Sequence, residues 1–226
     1  MKYLSVICTI CLFLISECYG QQSISKPKEP NFSPYYFHRV DHFETLPDTP
    51  DEIFFLGNSI SDGCEWSELF ADLRFKNRGI SGDVTDGVLY RLHQIIRCKP
   101  QMVFLMIGIN DLAHGHSCDY VVNNHLRIYD LLHKESPGTN IVVESILPVN
   151  DNFSIFKNHV SKTDSIVIIN RRLKEICDQR NYPFVDLYKE MCDEKGKLKK
   201  ELTNDGLHLN GLGYLVWKEK IKPLLP

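Results

Sequence analysis

Residues 54–63 read FFLGNSISDG, an apolar run that stops at Gly57 with Ser59 two residues later. Near the other end, Asp205 and His208 stand three residues apart in DGLHLN. A serine hydroxyl is a weak nucleophile until a base takes its proton. Histidine side chains titrate near neutrality, so one can take that proton and return it to a leaving group. A carboxylate three residues upstream reaches the imidazole Nδ1 and holds the useful tautomer. Together these residues suit acyl transfer, with Ser59 as nucleophile, His208 as general base and Asp205 as its orienter. Each has a structural alternative. Serine and aspartate cap helices, and a histidine is often satisfied within a core.

Acyl transfer also needs hydrogen-bond donors where oxygen becomes negative. Gly82, in NRGISGD, has no side chain, so its N–H can face a ligand closely. Asn110, in GIND, offers a side-chain N–H that an aspartate would lack. The backbone N–H of Ser59 is the third candidate for this oxyanion hole. Plain turn chemistry is the alternative for Gly82 and Asn110.

These residues need a frame that brings them together. Short apolar runs at 53–56, 102–107, 141–147 and 184–185, and a weaker one around Phe75, lack polar alternation. That is the pattern of parallel strands buried on both faces. Helical spacing fills the intervals at 84–97, 119–135, 165–179 and 211–221. Strands alternating with helices predict an α/β fold with an open parallel sheet of about five strands. Its ligand crevice lies at the carboxyl ends of the strands. The segments 57–59, 79–83 and 108–111 each follow a strand, and 205–208 precedes the last helix. Four distant segments therefore converge on one edge of the sheet.

Over residues 51 to about 222 the chain resembles the SGNH (GDSL-type) hydrolases. The resemblance rests on GNSI, NRGISGD, GIND and DGLHLN in that order. It implies an esterase-like acyl hydrolase on a flavodoxin-like, three-layer α/β/α sandwich. Asn58 stands where that family often has Asp; it would shape the turn and lie at the substrate. The layout of NRGISGD with LHLNGLGY is similar to the branch that contains platelet-activating-factor acetylhydrolase catalytic subunits and carbohydrate O-acetylesterases. That branch removes short acyl chains.

Other residue types point elsewhere. His114 and His116 flank a glycine, but no carboxylate or cysteine cluster supports a metal site, and no cofactor is implied. His114 is expected to line the substrate entrance. Asp83 and Asp111 are expected to fix their loops through backbone hydrogen bonds. The glycine-rich 79–83 segment lacks the Lys-Ser/Thr of a phosphate loop. Cys64 reads as a small structural residue.

Composition bounds the partners. The chain has 226 residues, 43% hydrophobic and 24% charged, with a net charge of −3. That suits one domain with a full core. It leaves no basic footprint for nucleic acid or an anionic membrane surface. Residues 1–20 read as a secretory signal: Lys2, an apolar stretch too short to span, then small residues at 18 and 20. The expectation is an exported protein, with a lipid anchor on Cys18 as the competing idea. Residues 21–50 read as a linker and 51–226 as the hydrolase domain. Beyond the signal, Cys64, Cys98, Cys118, Cys177 and Cys192 are odd in number. Either one bridge or buried free thiols would fit.

The substrate side is open. Residues 148–164 form a long, mostly polar loop with Phe153, Ile155 and Phe156 as apolar points. Long loops in compact domains are usually functional. No broad apolar lid is present, so a small acyl group on a polar carrier fits best, with Phe153 contacting it. For an exported protein, the family resemblance implies an acetylated carbohydrate. Longer acyl chains on a lipid or thioester, or a catalytically silent binding module, are the alternatives.

Overall fold

The structure is a computed structural model that describes residues 31–226. The expected signal peptide lies outside the described residues. The elements run α1 (Pro34–Thr45), β1 (Ile53–Gly57), α2 (Ser59–Asp62), α3 (Trp66–Phe70), β2 (Phe75–Gly79), α4 (Thr85–Cys98), β3 (Met102–Met106) and α5 (Ile109–Ala113). They continue with α6 (Cys118–Glu135), β4 (Asn140–Glu144), α7 (Lys157–Val160), α8 (Thr163–Arg180), β5 (Phe184–Val185), α9 (Leu187–Met191) and α10 (Gly211–Ile221). Five strands pair in parallel in the order β2-β1-β3-β4-β5.

Strand side chains alternate between two faces, and each face meets helices. Phe54, Leu56, Val103, Leu105, Ile141 and Val143 pack on one side with α4, α6 and α8 residues such as Leu92, Ile128 and Leu173. Ile53, Phe55, Phe104 and Val142 pack on the other with Ile60, Trp66, Met191 and Trp217 from α2, α3, α9 and α10. This is the three-layer α/β/α sandwich expected. The strand that reads FKNRG is the edge β2, which explains its weak apolar signal.

The stretch expected as a linker differs from that reading. Residues 34–45 form α1, whose Tyr36 and Phe43 are buried against Ile80. Tyr36 donates its hydroxyl to the Gly87 carbonyl at 2.7 Å. Its apolar residues are too sparse for a clear helical period. Ser33 before Pro34 was the available signal: Ser33 caps the helix by accepting the Tyr36 N–H at 3.1 Å, and proline suits the first helical position. Residues 32–226 thus make one compact unit.

The five cysteines beyond residue 31 are all free, with Cys64 and Cys177 buried. Among the described residues, no helix is long and apolar enough to cross a membrane.

One buried group makes stability depend on pH. Glu144, at the end of β4, is 1% exposed and accepts the Trp217 indole N–H at 2.6 Å. Burial pushes its carboxyl up to about 8, against a smaller pull from that bond. The folded state therefore holds the proton more tightly than the unfolded chain does. The resulting stability is fully present below about pH 4.5, declines through the neutral range and is gone above about pH 8. Glu144→Gln keeps a neutral acceptor and should flatten that decline, a difference of a few kcal/mol at most. Thermal unfolding from pH 4.5 to 8.5 should show the wild type losing ground to the variant as pH rises; parallel curves would refute it.

Candidate active site

The sharp turn after β1 sets the first side chain. Asn58 Oδ1 accepts the Ile60 N–H at 3.0 Å, so Asn58 caps α2 and Ser59 does not. The Ser59 hydroxyl is left to lie 2.9 Å from His208 Nε2. On the far side of the ring, His208 Nδ1 is 2.8 Å from Asp205 Oδ2. Asp205 Oδ1 accepts the backbone N–H groups of Leu207 and His208 at 2.9 and 2.8 Å. One carboxylate thus shapes its own turn and holds the imidazole. The cap of α10 is Asn210, not Asp205.

Burial pushes the Asp205 carboxyl upward, but the His208 and Leu207 donors outweigh it and hold it below the usual carboxylate range. With Asp205 ionised, the His208 proton belongs on Nδ1 and the lone pair on Nε2 faces the Ser59 hydroxyl. Side-chain exposures of 31% for His208 and 21% for Asp205 leave the relay reachable from solvent. Helix α2 has only four residues, so its dipole is small; nearby N–H groups matter more.

Three such groups come from separate segments. Among the described residues, the backbone N–H of Ser59 and that of Gly82 meet no acceptor. Gly82 has φ of +82°, and an added Cβ would touch nothing within 4 Å. The left-handed backbone favours glycine here, and the space beside it is open. Asn110 is buried, and its Nδ2 donates to the Asp83 carbonyl at 2.8 Å. One N–H of that amide is left over.

The loops that carry these donors are tied down. Asp83 and Arg91 form an ion pair at 2.9 Å with both side chains at 0% exposure, and Arg91 also donates to the Gly57 carbonyl at 3.2 Å. Asp111 accepts the Thr85 N–H at 3.1 Å and its hydroxyl at 2.5 Å. The expected loop-fixing roles of Asp83 and Asp111 match these bonds. Asp62 was not singled out from sequence. Its Oδ2 accepts the Ser81 N–H and hydroxyl at 3.1 and 2.7 Å and the Tyr35 hydroxyl at 2.8 Å. Helix α1 thereby reaches the Gly82 loop. At the strand end, an added Cβ on Gly79 would sit 2.2 Å from the Asp62 N, so only glycine lets α2 pack there.

The remaining candidates sort as follows. Asn58 is 1% exposed with its Oδ1 in the cap of α2, which matches the expected turn-shaping role. His114 ends α5 and is exposed. His116 stacks on Tyr120 with ring centroids 4.1 Å apart. Among the described residues, no three metal-ligating side chains gather. Burial pushes the Cys64 thiol up to about 12, which keeps it protonated. Phe153 is half-buried and packs against Gly206, beside the Asp205 turn. The long loop also brings in Phe156, one of its expected apolar points, and His159, which sequence reasoning did not single out. The Phe156 ring stands edge-on to His208 at 5.0 Å and 76°, and His159 Nε2 lies 3.0 Å from Asn110 Oδ1.

A serine–imidazole–carboxylate relay can activate a hydroxyl, and N–H groups without an acceptor can stabilise a tetrahedral oxyanion that they face. Comparison with known proteins agrees. Platelet-activating factor acetylhydrolase IB subunit alpha1 of Bos taurus is 29% identical over 182 residues, covering 76% of this chain and 75% of its own. The Homo sapiens protein of that name is 28% identical over 182 residues, with 76% of each chain covered. A GDSL-like lipase from Bacteroides thetaiotaomicron shares the fold at a TM-score of 0.74, with 24% identity over 84% of this chain and 96% of its own. An Axe2 mutant, an acetyl-xylooligosaccharide esterase from Geobacillus Stearmophilus, shares it at 0.63, with 19% identity over 78% of this chain and 94% of its own. The model of the GDSL-like lipase/acylhydrolase family matches residues 55–216, a span that takes in every segment of the relay and its donors. The chain belongs to that family of ester-hydrolysing enzymes.

Proposed function

We propose that the protein is a serine esterase that removes short acyl groups, acetyl above all, from a carbohydrate. The observation that carries this reading is the unbroken relay from Ser59 through His208 to Asp205, at 2.9 and 2.8 Å. Ser59 attacks the ester carbonyl while His208 takes its proton. The oxyanion is met by the N–H groups of Ser59 and Gly82 and by the Asn110 amide. His208 then protonates the leaving alcohol. Water, activated by the same imidazole, releases the acid from the acyl-enzyme. No step calls for a metal or a cofactor.

Two observations favour a short acyl group. The relatives are named acetylhydrolases, and the loop at the crevice is mostly polar, with Ile155 its one large exposed apolar side chain. A polar carrier fits that loop. The relatives' names favour a second reading, an acetyl group on a phospholipid. We also propose that residues 1–20 are an export signal, which places the substrate outside the cytoplasm.

Initial rates on p-nitrophenyl acetate, butyrate and octanoate test the acyl chain. Acetate should be preferred, and a preference for octanoate would overturn the short-acyl reading. Acetylated xylo-oligosaccharides against a 2-acetyl phosphocholine lipid then test the carrier. Faster release from the sugar supports the first reading; faster release from the lipid replaces it with the second.

A further inference from the structure

We infer that His159 is a positioning residue for the Asn110 amide, an inference that rests on the proposed role of Asn110 as an oxyanion donor. An amide oxygen only accepts hydrogen bonds. The 3.0 Å contact between His159 Nε2 and Asn110 Oδ1 therefore places the imidazole proton on Nε2. At its other end the same amide donates from Nδ2 to the Asp83 carbonyl at 2.8 Å. Rotation about the Asn χ2 bond is otherwise broad. Two bonds at opposite ends of the amide plane fix it and leave one Nδ2–H for a ligand.

Both anchors are themselves held. Asp83 is locked by the buried pair with Arg91, which also grips the Gly57 carbonyl at the end of β1. His159 sits in α7, where its N–H and that of Val160 both donate to the Phe156 carbonyl at 2.9 Å. Val160 is buried and pins that turn. The Phe156 ring stands edge-on to His159 at 5.7 Å and to His208 at 5.0 Å. One aromatic ring thus braces the general base and the residue that holds the donor. Burial, then repulsion from His114, His208 and Lys162, lowers the His159 pKa, which favours the neutral ring this geometry uses.

The kinetic consequence follows from preorganisation. A donor stabilises a developing oxyanion to the extent that it is aimed beforehand. Losing the His159 anchor leaves the donor present but freer to swing. The loss should fall on kcat, because the ground-state carbonyl draws little on the hole.

The test uses the full chain and p-nitrophenyl acetate. Asn110→Ala should lower kcat by about 10²–10³. His159→Ala should lower it about tenfold with KM within about twofold. His159→Gln, which can present an N–H near the same point, should recover most of the loss. His159→Leu keeps bulk without a donor and should behave like the alanine variant, which covers the case that alanine disturbs the turn. The double variant Asn110→Ala/His159→Ala should be no slower than Asn110→Ala alone, since the anchor then has nothing to hold. Wild-type rates in both His159→Ala and His159→Leu, no recovery with glutamine, or losses that multiply in the double variant would overturn the inference. An Asn110→Ala enzyme at full rate would instead sink the oxyanion assignment itself.

Discussion

Ser59→Ala is expected to lower kcat by about 10⁵–10⁶, the largest effect of any single change in this protein. The hydroxyl has one polar partner among the described residues, His208 Nε2 at 2.9 Å. The cap of α2 is made by Asn58, so alanine at 59 removes the nucleophile and leaves the turn. Folding should be unaffected, and the melting temperature should stay within about a degree or two, as for a surface change away from caps and core. KM should change little, because the binding surface is untouched. The residual rate should be that of a donor pocket without a nucleophile, still above the reaction in water. Ester hydrolysis and thermal unfolding, measured on the same preparation, check both halves. A fully folded variant that keeps a substantial fraction of its activity would refute the assignment.

The second large effect is expected at Asp205. Asp205→Asn should cost about 10⁴ in kcat, less than removal of the nucleophile. The carboxylate does two jobs. Oδ1 accepts two backbone N–H groups of its own turn, and Oδ2 accepts the imidazole Nδ1–H. An asparagine can keep the first job through its oxygen. Its NH₂ then faces Nδ1, which favours the tautomer with the proton on Nε2, the wrong nitrogen for a base. The wild-type carboxyl is held below its ordinary range by these donors, so it stays ionised throughout the neutral region. The loss should therefore persist at every pH from about 6 to 9, rather than vanish at high pH. Rates across that range check this; a variant that regains wild-type activity at pH 9 would mean that Asp205 acts through charge alone.

The contrast between what could and could not be read beforehand has a physical basis. Strands β1, β3 and β4 are legible because burial on both faces demands unbroken apolar runs. Helices α4, α6 and α8 are legible because each keeps a long apolar stripe. Helix α1 was not, since it is buried through little more than Tyr36 and Phe43; only the Ser33-Pro34 start marks it. The short α7 turn is invisible for the same reason: four residues give no period. Ser59 and Asn110 stood out because they follow strand ends, and Asp205 and His208 because they stand three residues apart just before the last helix. His159 carries no local signature. Its partner lies 49 residues away, and only the folded loop brings them together. Asp62 is similar, an ordinary helical aspartate whose contacts to Ser81 and Tyr35 span 19 and 27 residues. Asp83 and Asp111 were legible as loop-fixing residues inside the reactive motifs, whereas His159 and Asp62, which hold others from outside those motifs, emerge only from packing.

The central claim is that Ser59 is the nucleophile of this hydrolase. Its most direct measurement is covalent labelling with a fluorophosphonate, followed by mass spectrometry of the digested protein. The expected result is one adduct per chain on the peptide carrying Ser59, formed slowly in His208→Ala and absent in Ser59→Ala. An adduct on another residue, or labelling that persists in Ser59→Ala, would contradict the account.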